Sequence, residues 1–131
     1  VILIDDSLVR GTTCSKIINL LYKAGAKEVH VKIACPEIKF PDFYGVDMPT
    51  KKELLSSNKN IKEIFDYLGA NSVNFLTIEG LYKALINEKR NNNYPQFSDH
   101  YFTGEYPVKA LDKLGNEKIT QLSLLSNKSS S

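Results

Sequence analysis

Arginine is nearly missing from this chain. Of its 17 basic residues only Arg10 and Arg90 are arginines, and 15 acidic residues leave a formal charge of +2. That balance lacks the basic stripe that grips nucleic acid, so no nucleic-acid partner is expected. The lysines, Lys51, Lys52, Lys59 and Lys62 among them, scatter along stretches of helical character, where a solvated helix face accounts for them. Cysteine is scarce as well: Cys14 and Cys35 have neither the paired spacing of a metal knuckle nor the density of a secreted disulfide scaffold. Free thiols in a cytoplasmic protein are the expectation. No apolar run approaches the ~20 residues that span a bilayer, and no basic-then-apolar leader is visible, so no membrane partner is expected. There is no internal repeat. The chain opens on Val1, directly in an apolar run, and is read as a piece of something longer.

What is present suits a single hydrophobic core: 131 residues, of which 42% are hydrophobic. Residues 1–4 form an unbroken β-branched and aliphatic run that stops at Asp5, Asp6 and Ser7, which predicts a buried parallel strand with neighbours on both sides. Ile17, Ile18, Leu20, Leu21 and Ala24 recur at helical spacing, with Thr12 or Thr13 as N-cap and Gly25 just past the helix end. Val29, Val31 and Ile33 alternate with His30 and Lys32, giving a second strand with one wet face. Strand, loop, helix and strand make a βαβ unit, which belongs in a larger parallel sheet.

Residues 36–49 combine prolines and a glycine with Phe40, Phe43 and Tyr44, and read as an ordered irregular excursion over the carboxyl end of the sheet. Thr50 with Glu53 and Asn60 with Glu63 both match a capping box, predicting two short helices, the second stopped by Gly69. Val73, Phe75 and Leu76 suggest a third strand, after which Thr77 caps a helix through Leu81, Tyr82, Leu85 and Ile86. A boundary is placed at residue 90. Residues 91–131 are then an irregular tail, aromatic to residue 107 and rich in Lys, Asn and Ser beyond, with its last residues expected to fray.

The chemistry concentrates in residues 1–13. A buried strand ends, two carboxylates follow, and Arg10, Gly11, Thr12 and Thr13 open a helix. A helix start offers unpaired backbone N–H groups and the positive end of the macrodipole, Gly11 permits close backbone approach, and two threonine hydroxyls add donors. Adjacent carboxylates at a strand end suit vicinal sugar hydroxyls or the waters of a Mg²⁺ ion. Hydrogen bonds to charged groups contribute about 1.5–3 kcal/mol each, so several of them grip a sugar phosphate firmly. An acidic pair alone is more often a plain turn; the combination is what points to a ligand.

The run from Val1 through Asp5, Asp6, Ser7, Leu8, Val9, Arg10, Gly11, Thr12 and Thr13 resembles the phosphoribosyl pyrophosphate signature of type I phosphoribosyltransferases. Within that group it is most similar to the amidophosphoribosyltransferases. Ala24-Gly25-Ala26-Lys27-Glu28-Val29, Phe43-Tyr44-Gly45-Val46-Asp47-Met48-Pro49 and Phe102-Thr103-Gly104-Glu105-Tyr106-Pro107 resemble the same family, over about residues 1 to 107.

The resemblance implies an α/β fold, namely part of the Rossmann-like parallel sheet of a type I phosphoribosyltransferase with carboxy-terminal helices and an irregular tail. It implies that Asp5 and Asp6 face the ribose hydroxyls and a Mg²⁺ ion. Ser7, Val9, Arg10, Gly11, Thr12 and Thr13 then bind the 5-phosphate. The implied reaction replaces pyrophosphate at the anomeric carbon of phosphoribosyl pyrophosphate by ammonia from glutamine, giving phosphoribosylamine in the first committed step of purine synthesis. A glutaminase domain with an amino-terminal cysteine nucleophile, purine nucleotide inhibitors and a homo-oligomer are implied as partners. Neither Cys14 nor Cys35 occupies the nucleophile's position. Some family members hold an iron-sulfur cluster, but Asp42, Ser98 and Tyr101 stand where its cysteines align, so no cluster is expected.

Other residues draw plainer readings. Cys14, in the first helical turn, is taken as a small packed residue without catalytic duty. His100, beside Asp99 in a loop with no nucleophile near it, is read as a surface histidine. Tyr94, Phe97, Tyr101, Phe102 and Tyr106 are expected to pack the tail onto the body. Tyr44 and Asp47 stand as candidates to line the site, with an ordinary loop role as the alternative. Two other functions remain: a salvage phosphoribosyltransferase, disfavoured by the hundred or so residues after Ile33, and a non-catalytic nucleotide sensor of the same fold.

Overall fold

A computed structural model describes residues 1–44 and 50–107. Asp47, one of the candidate lining residues, and the stretch expected to fray both lie outside the described residues. In chain order the elements are β1 (Ile2–Asp5), α1 (Thr12–Lys23), β2 (His30–Ile33), α2 (Leu55–Asn58), α3 (Ile61–Leu68), β3 (Ser72–Phe75), α4 (Ile78–Ile86) and α5 (His100–Thr103).

The three strands form one sheet in the order β1-β2-β3, both pairings parallel. Register sorts the side chains into two faces, because successive residues of a strand point to opposite sides. Leu3, Val31 and Val73 lie abreast in one row, and Val31 and Val73 are buried. Cys14 and Ile18 of α1, and Ile64 and Leu68 of α3, complete the core on that face. Each such aliphatic residue contributes about 1.5–3 kcal/mol by leaving water. On the other face Lys32 donates to Asn74 at 2.6 Å and His30 meets Ser72 at 2.8 Å, the polar ladder expected of a wet surface.

β1 departs from its reading as a buried strand. It is paired on one side only, and Ile2 and Ile4 are 66% and 72% exposed. Apolar composition predicted burial on both faces, but α1 and α3 cover a single face, and among the described residues nothing covers the other.

The helix ends follow sequence chemistry closely. Gly25 sits at φ +99°, and N–H groups of Gly25 and Ala26 close onto the Tyr22 and Leu21 carbonyls at 2.9 and 3.0 Å, capping α1. Asn60 and Glu63 exchange both bonds of a capping box at the start of α3, and Thr77 accepts from Gly80 N at 2.9 Å at the start of α4. Thr50 and Glu53 behave differently. Their bonds close a turn, and the helix begins later, at Leu55.

At the amino end of the sheet, the Asn71 side-chain oxygen accepts from the Val29 N–H at 2.8 Å and from the Tyr22 hydroxyl at 2.7 Å. Asn71 N donates in turn to the Val29 carbonyl at 2.8 Å.

Residues 91–107 pack back on the body. The Tyr101 carbonyl accepts from Lys39 N and Phe40 N, and the Tyr106 hydroxyl donates to the Pro41 carbonyl at 2.8 Å. Arg90 reaches Asp99 through Nε at 2.5 Å and Glu105 through Nη2 at 2.5 Å, while the Tyr82 hydroxyl donates to Asp99 at 2.8 Å. Burial pushes the Asp99 carboxyl up, yet hydrogen bonds from Arg90 and Tyr82 hold it below the usual carboxylate range. Tyr94 and Phe97 remain exposed, although Phe97 makes an edge contact with Tyr82.

His100 corrects its reading as a surface histidine: it is 1% exposed, and its Nε2 lies 2.7 Å from Asp42 Oδ1. The rings of Tyr44, Tyr101 and Tyr106 surround it. Among the described residues no helix is long and apolar enough to cross a membrane.

Candidate functional site

β1 ends at Asp5, and the chain turns through residues 6–11 before α1 begins. Asp6 N donates to Asp5 Oδ1 at 3.0 Å, and the Ser7 hydroxyl donates to Asp6 Oδ1 at 3.2 Å. Leu8 then dives into the core at 2% exposure, dividing the loop into an acidic half and a helix-opening half. Gly11 sits at φ +75° as the N-cap of α1, in place of the threonine expected there, and no side chain caps the helix. Left-handed backbone favours glycine. Space is short as well: a Cβ here would lie 2.9 Å from Leu55 Cδ2 and 3.0 Å from Leu68 Cδ2, so these side chains would have to shift.

An uncapped helix start leaves its donors free. Among the described residues, no backbone N–H from positions 9 to 14 donates to another protein group. The same residues line a cavity of about 230 Å³ walled by Asp5, Ser7, Leu8, Val9, Arg10, Gly11, Thr12, Thr13 and Cys14. Free N–H groups together with the positive end of a twelve-residue helix favour an anion. Thr12 and Thr13 are exposed at its mouth.

The cavity thus collects Asp5, Ser7, Val9, Arg10, Gly11, Thr12 and Thr13, all singled out by sequence. Asp6 is not part of its wall. Leu8 and Cys14 were missed as wall residues; an apolar pair, Leu8 and Val9, inside an otherwise polar loop was the available signal. Tyr44 lies away from this wall, against the ring of His100. Burial, and then the charge of Asp5, push the Cys14 thiol up, so the helix start does not activate it. Burial likewise raises Cys35, against the pull of the Leu8 N–H.

Two carboxylates suit Mg²⁺, which keeps several waters and completes its shell with substrate oxygens. Among the described residues no group of three His, Cys, Asp or Glu side chains gathers to hold a cation by protein ligands alone. Asp5 lines the cavity and Asp6 follows it in the chain, so the loop offers two carboxylates of the oxygen type that Mg²⁺ accepts. At the positions aligned with iron-sulfur ligands, Asp42 and Tyr101 come together. Burial raises the Tyr101 phenol, helped by the charge and hydrogen bond of Asp42.

Arg10 carries a contact that sequence reading missed. Its Nε and Nη2 both donate to Glu53 Oε1 at 3.3 Å, across 43 residues of chain. Glu53 Oε2 accepts from Thr50 N at 3.2 Å and from Thr50 Oγ1 at 3.0 Å. The Thr50 hydroxyl, then the Thr50 N–H and Arg10, hold the Glu53 carboxyl below its ordinary range.

No family model matches the sequence. Individual proteins do. The chain is 49% identical over 128 residues to an amidophosphoribosyltransferase of Rhizobium etli, covering 97% of this chain and 26% of that protein. It is 55% identical over 85 residues to that of Methanocaldococcus jannaschii, covering 65% of this chain and 18% of that protein. Among solved structures it resembles the glutamine phosphoribosylpyrophosphate amidotransferase of B. subtilis complexed with ADP and GMP. That match has a TM-score of 0.74 and 42% identity, and covers 82% of this chain and 24% of the other. A structure described as the allosteric regulatory enzyme of purine biosynthesis matches with a TM-score of 0.73 at 44% identity, covering 82% of this chain and 23% of the other. Identity well above the level where only fold is shared, together with the parallel sheet and its phosphoribosyltransferase-like loop, places the chain in the amidophosphoribosyltransferase family, as a segment spanning about a quarter of the length of such relatives.

Proposed function

We propose that this segment binds the ribose 5-phosphate of phosphoribosyl pyrophosphate, within a protein that transfers ammonia from glutamine to the anomeric carbon. The observation that carries the reading is the cavity of unpaired backbone N–H groups at the start of α1, directly after the strand-end carboxylates. In this reading Ser7, Val9, Arg10, Gly11, Thr12 and Thr13 hold the 5-phosphate through N–H and hydroxyl donors. Asp5 and Asp6 accept hydrogen bonds from the ribose hydroxyls.

Departure of pyrophosphate leaves positive charge on the ring, and carboxylates beneath the sugar stabilise it as it develops. Asp5 and Asp6 would hold a Mg²⁺ ion together with the substrate, and that ion would supply neutralisation of the charge on the departing group. Leu8, buried beneath the loop, keeps its two halves in fixed relation so that sugar and phosphate are gripped together. The product is phosphoribosylamine, and the step is the committing one of purine synthesis.

Purine nucleotides are proposed as inhibitors, supported by the ADP and GMP in the related B. subtilis complex. A glutaminase domain, a homo-oligomeric state and a cytoplasmic location belong to the same proposal. No iron-sulfur cluster is proposed, because Asp42, Ser98 and Tyr101 supply no thiolate.

The test uses the full-length protein, with ammonia as nitrogen donor and formation of phosphoribosylamine as readout. Asp5→Asn should lower kcat/KM by about a hundredfold, the scale of losing one positioned charged group. Ribose 5-phosphate binding by a protein with no turnover would support the nucleotide-sensor reading instead.

A further inference from the structure

The phosphate loop has to keep its N–H groups converging before the ligand arrives, and its own residues do little to hold it. Apart from buried Leu8, its outer rim is tied to residues 50–58 and to the end of α3 at Tyr67 and Leu68. Leu55 N donates to the Val9 carbonyl at 2.9 Å, tying the loop backbone to the start of α2. Gly11 packs against Leu55 and Leu68 so tightly that a methyl group would force these side chains to shift. Between these two contacts, Glu53 takes the Arg10 guanidinium on one carboxylate oxygen and Thr50 on the other.

The geometry points to Glu53 as a positioning residue: through Arg10 it fixes the rim of the loop in the shape that receives the 5-phosphate. Glu53 itself is not part of the cavity wall, whereas Arg10 is. The Thr50 turn orients the carboxylate before Arg10 meets it, so the bridge runs from the turn, through Glu53, to the loop. The inference rests on the proposed phosphate reading of the loop. It adds a specific role for the chain beyond β2, where a βαβ unit alone supplies no such strut.

Both side chains are about half exposed, 55% for Arg10 and 49% for Glu53, so the pair adds little to global stability. That makes the test clean, because Glu53→Ala is expected to remain folded. In the full-length protein, Glu53→Ala should raise KM for phosphoribosyl pyrophosphate about fivefold and leave kcat within about twofold. Glu53→Gln, which keeps an acceptor oxygen for Arg10, should recover part of the affinity. Arg10→Ala combined with Glu53→Ala should be no weaker than Arg10→Ala alone, since Glu53 acts through Arg10. Lys52→Ala, an exposed neighbour with no side-chain bond to the loop, is the control.

An unchanged KM in Glu53→Ala, or fully additive losses in the double variant, would overturn the assignment. Amide hydrogen exchange of residues 9–14 in the wild-type protein, with and without ribose 5-phosphate, separates the two levels. Protection by the sugar phosphate with no effect of Glu53→Ala defeats the positioning role alone. Absence of protection defeats the phosphate reading beneath it.

Discussion

Gly11 concentrates two constraints at one residue: a left-handed φ, and neighbours on α2 and α3 already in contact with its Cα side. Gly11→Ala should therefore destabilise the protein by about 1–3 kcal/mol through overpacking and backbone strain. It should also weaken binding of phosphoribosyl pyrophosphate, because relief of the clash moves the loop. Urea denaturation and equilibrium binding on the same variant check both, and a variant with wild-type stability would refute the packing argument. At this scale the sequence was legible where a residue's duty is set by its neighbours in the chain. Gly11 and the two threonines announce the start of α1 directly after the strand-end pair Asp5 and Asp6. His100 was not legible, because its partner Asp42 is 58 residues away and no local pattern distinguishes it from a loop histidine.

Elements were read from sequence with varying success, for reasons that lie in their ends. α3, α4 and the Gly25 end of α1 came out as expected because capping is local chemistry, whereas α1 starts on Gly11 in place of the expected threonine. Asn60→Ala should cost about 1 kcal/mol by removing the side-chain acceptor of Glu63 N, visible as a lowered denaturation midpoint. No change would mean that packing of Ile64 and Leu68 alone sets the start of α3. The Thr50 and Glu53 pattern misled by one element. Here the Thr50 hydroxyl donates to the Glu53 carboxylate and the Glu53 N–H goes to the Thr50 carbonyl, so the same two residue types close a turn and do not start a helix. β1 misled for the opposite reason. Its composition states that it prefers two covered faces, and composition cannot say which chain does the covering.

The whole molecule is held shut at its carboxy-terminal side by a cluster built on Asp99. Asp99 is 4% exposed and accepts from Arg90, Tyr82 and Thr103. Removing Arg90 leaves a buried carboxylate without its counter-charge, so Arg90→Ala should cost about 3–5 kcal/mol. The pH dependence follows from the lowered carboxyl pKa of Asp99. The folded state binds this proton more weakly than the unfolded state does. The contribution is complete above about pH 4, the ordinary aspartate range, and fades as pH falls through the lower folded value. Arg90, whose pKa is raised by Asp99 and Glu105, stays charged throughout. Near-UV circular dichroism of the tyrosines between pH 6 and pH 2 should show the loss of tail packing. A profile unaltered by Asp99→Asn would assign the transition elsewhere.

The knot at Asn71 has a mechanical consequence. Because one amide oxygen accepts from both the Tyr22 side chain on α1 and the Val29 backbone at the foot of β2, sliding the helix lengthwise over the strands would break hydrogen bonds to a shared acceptor. The foot of β2 and the last turn of α1 are thus clamped at the end of the sheet far from residues 6–11.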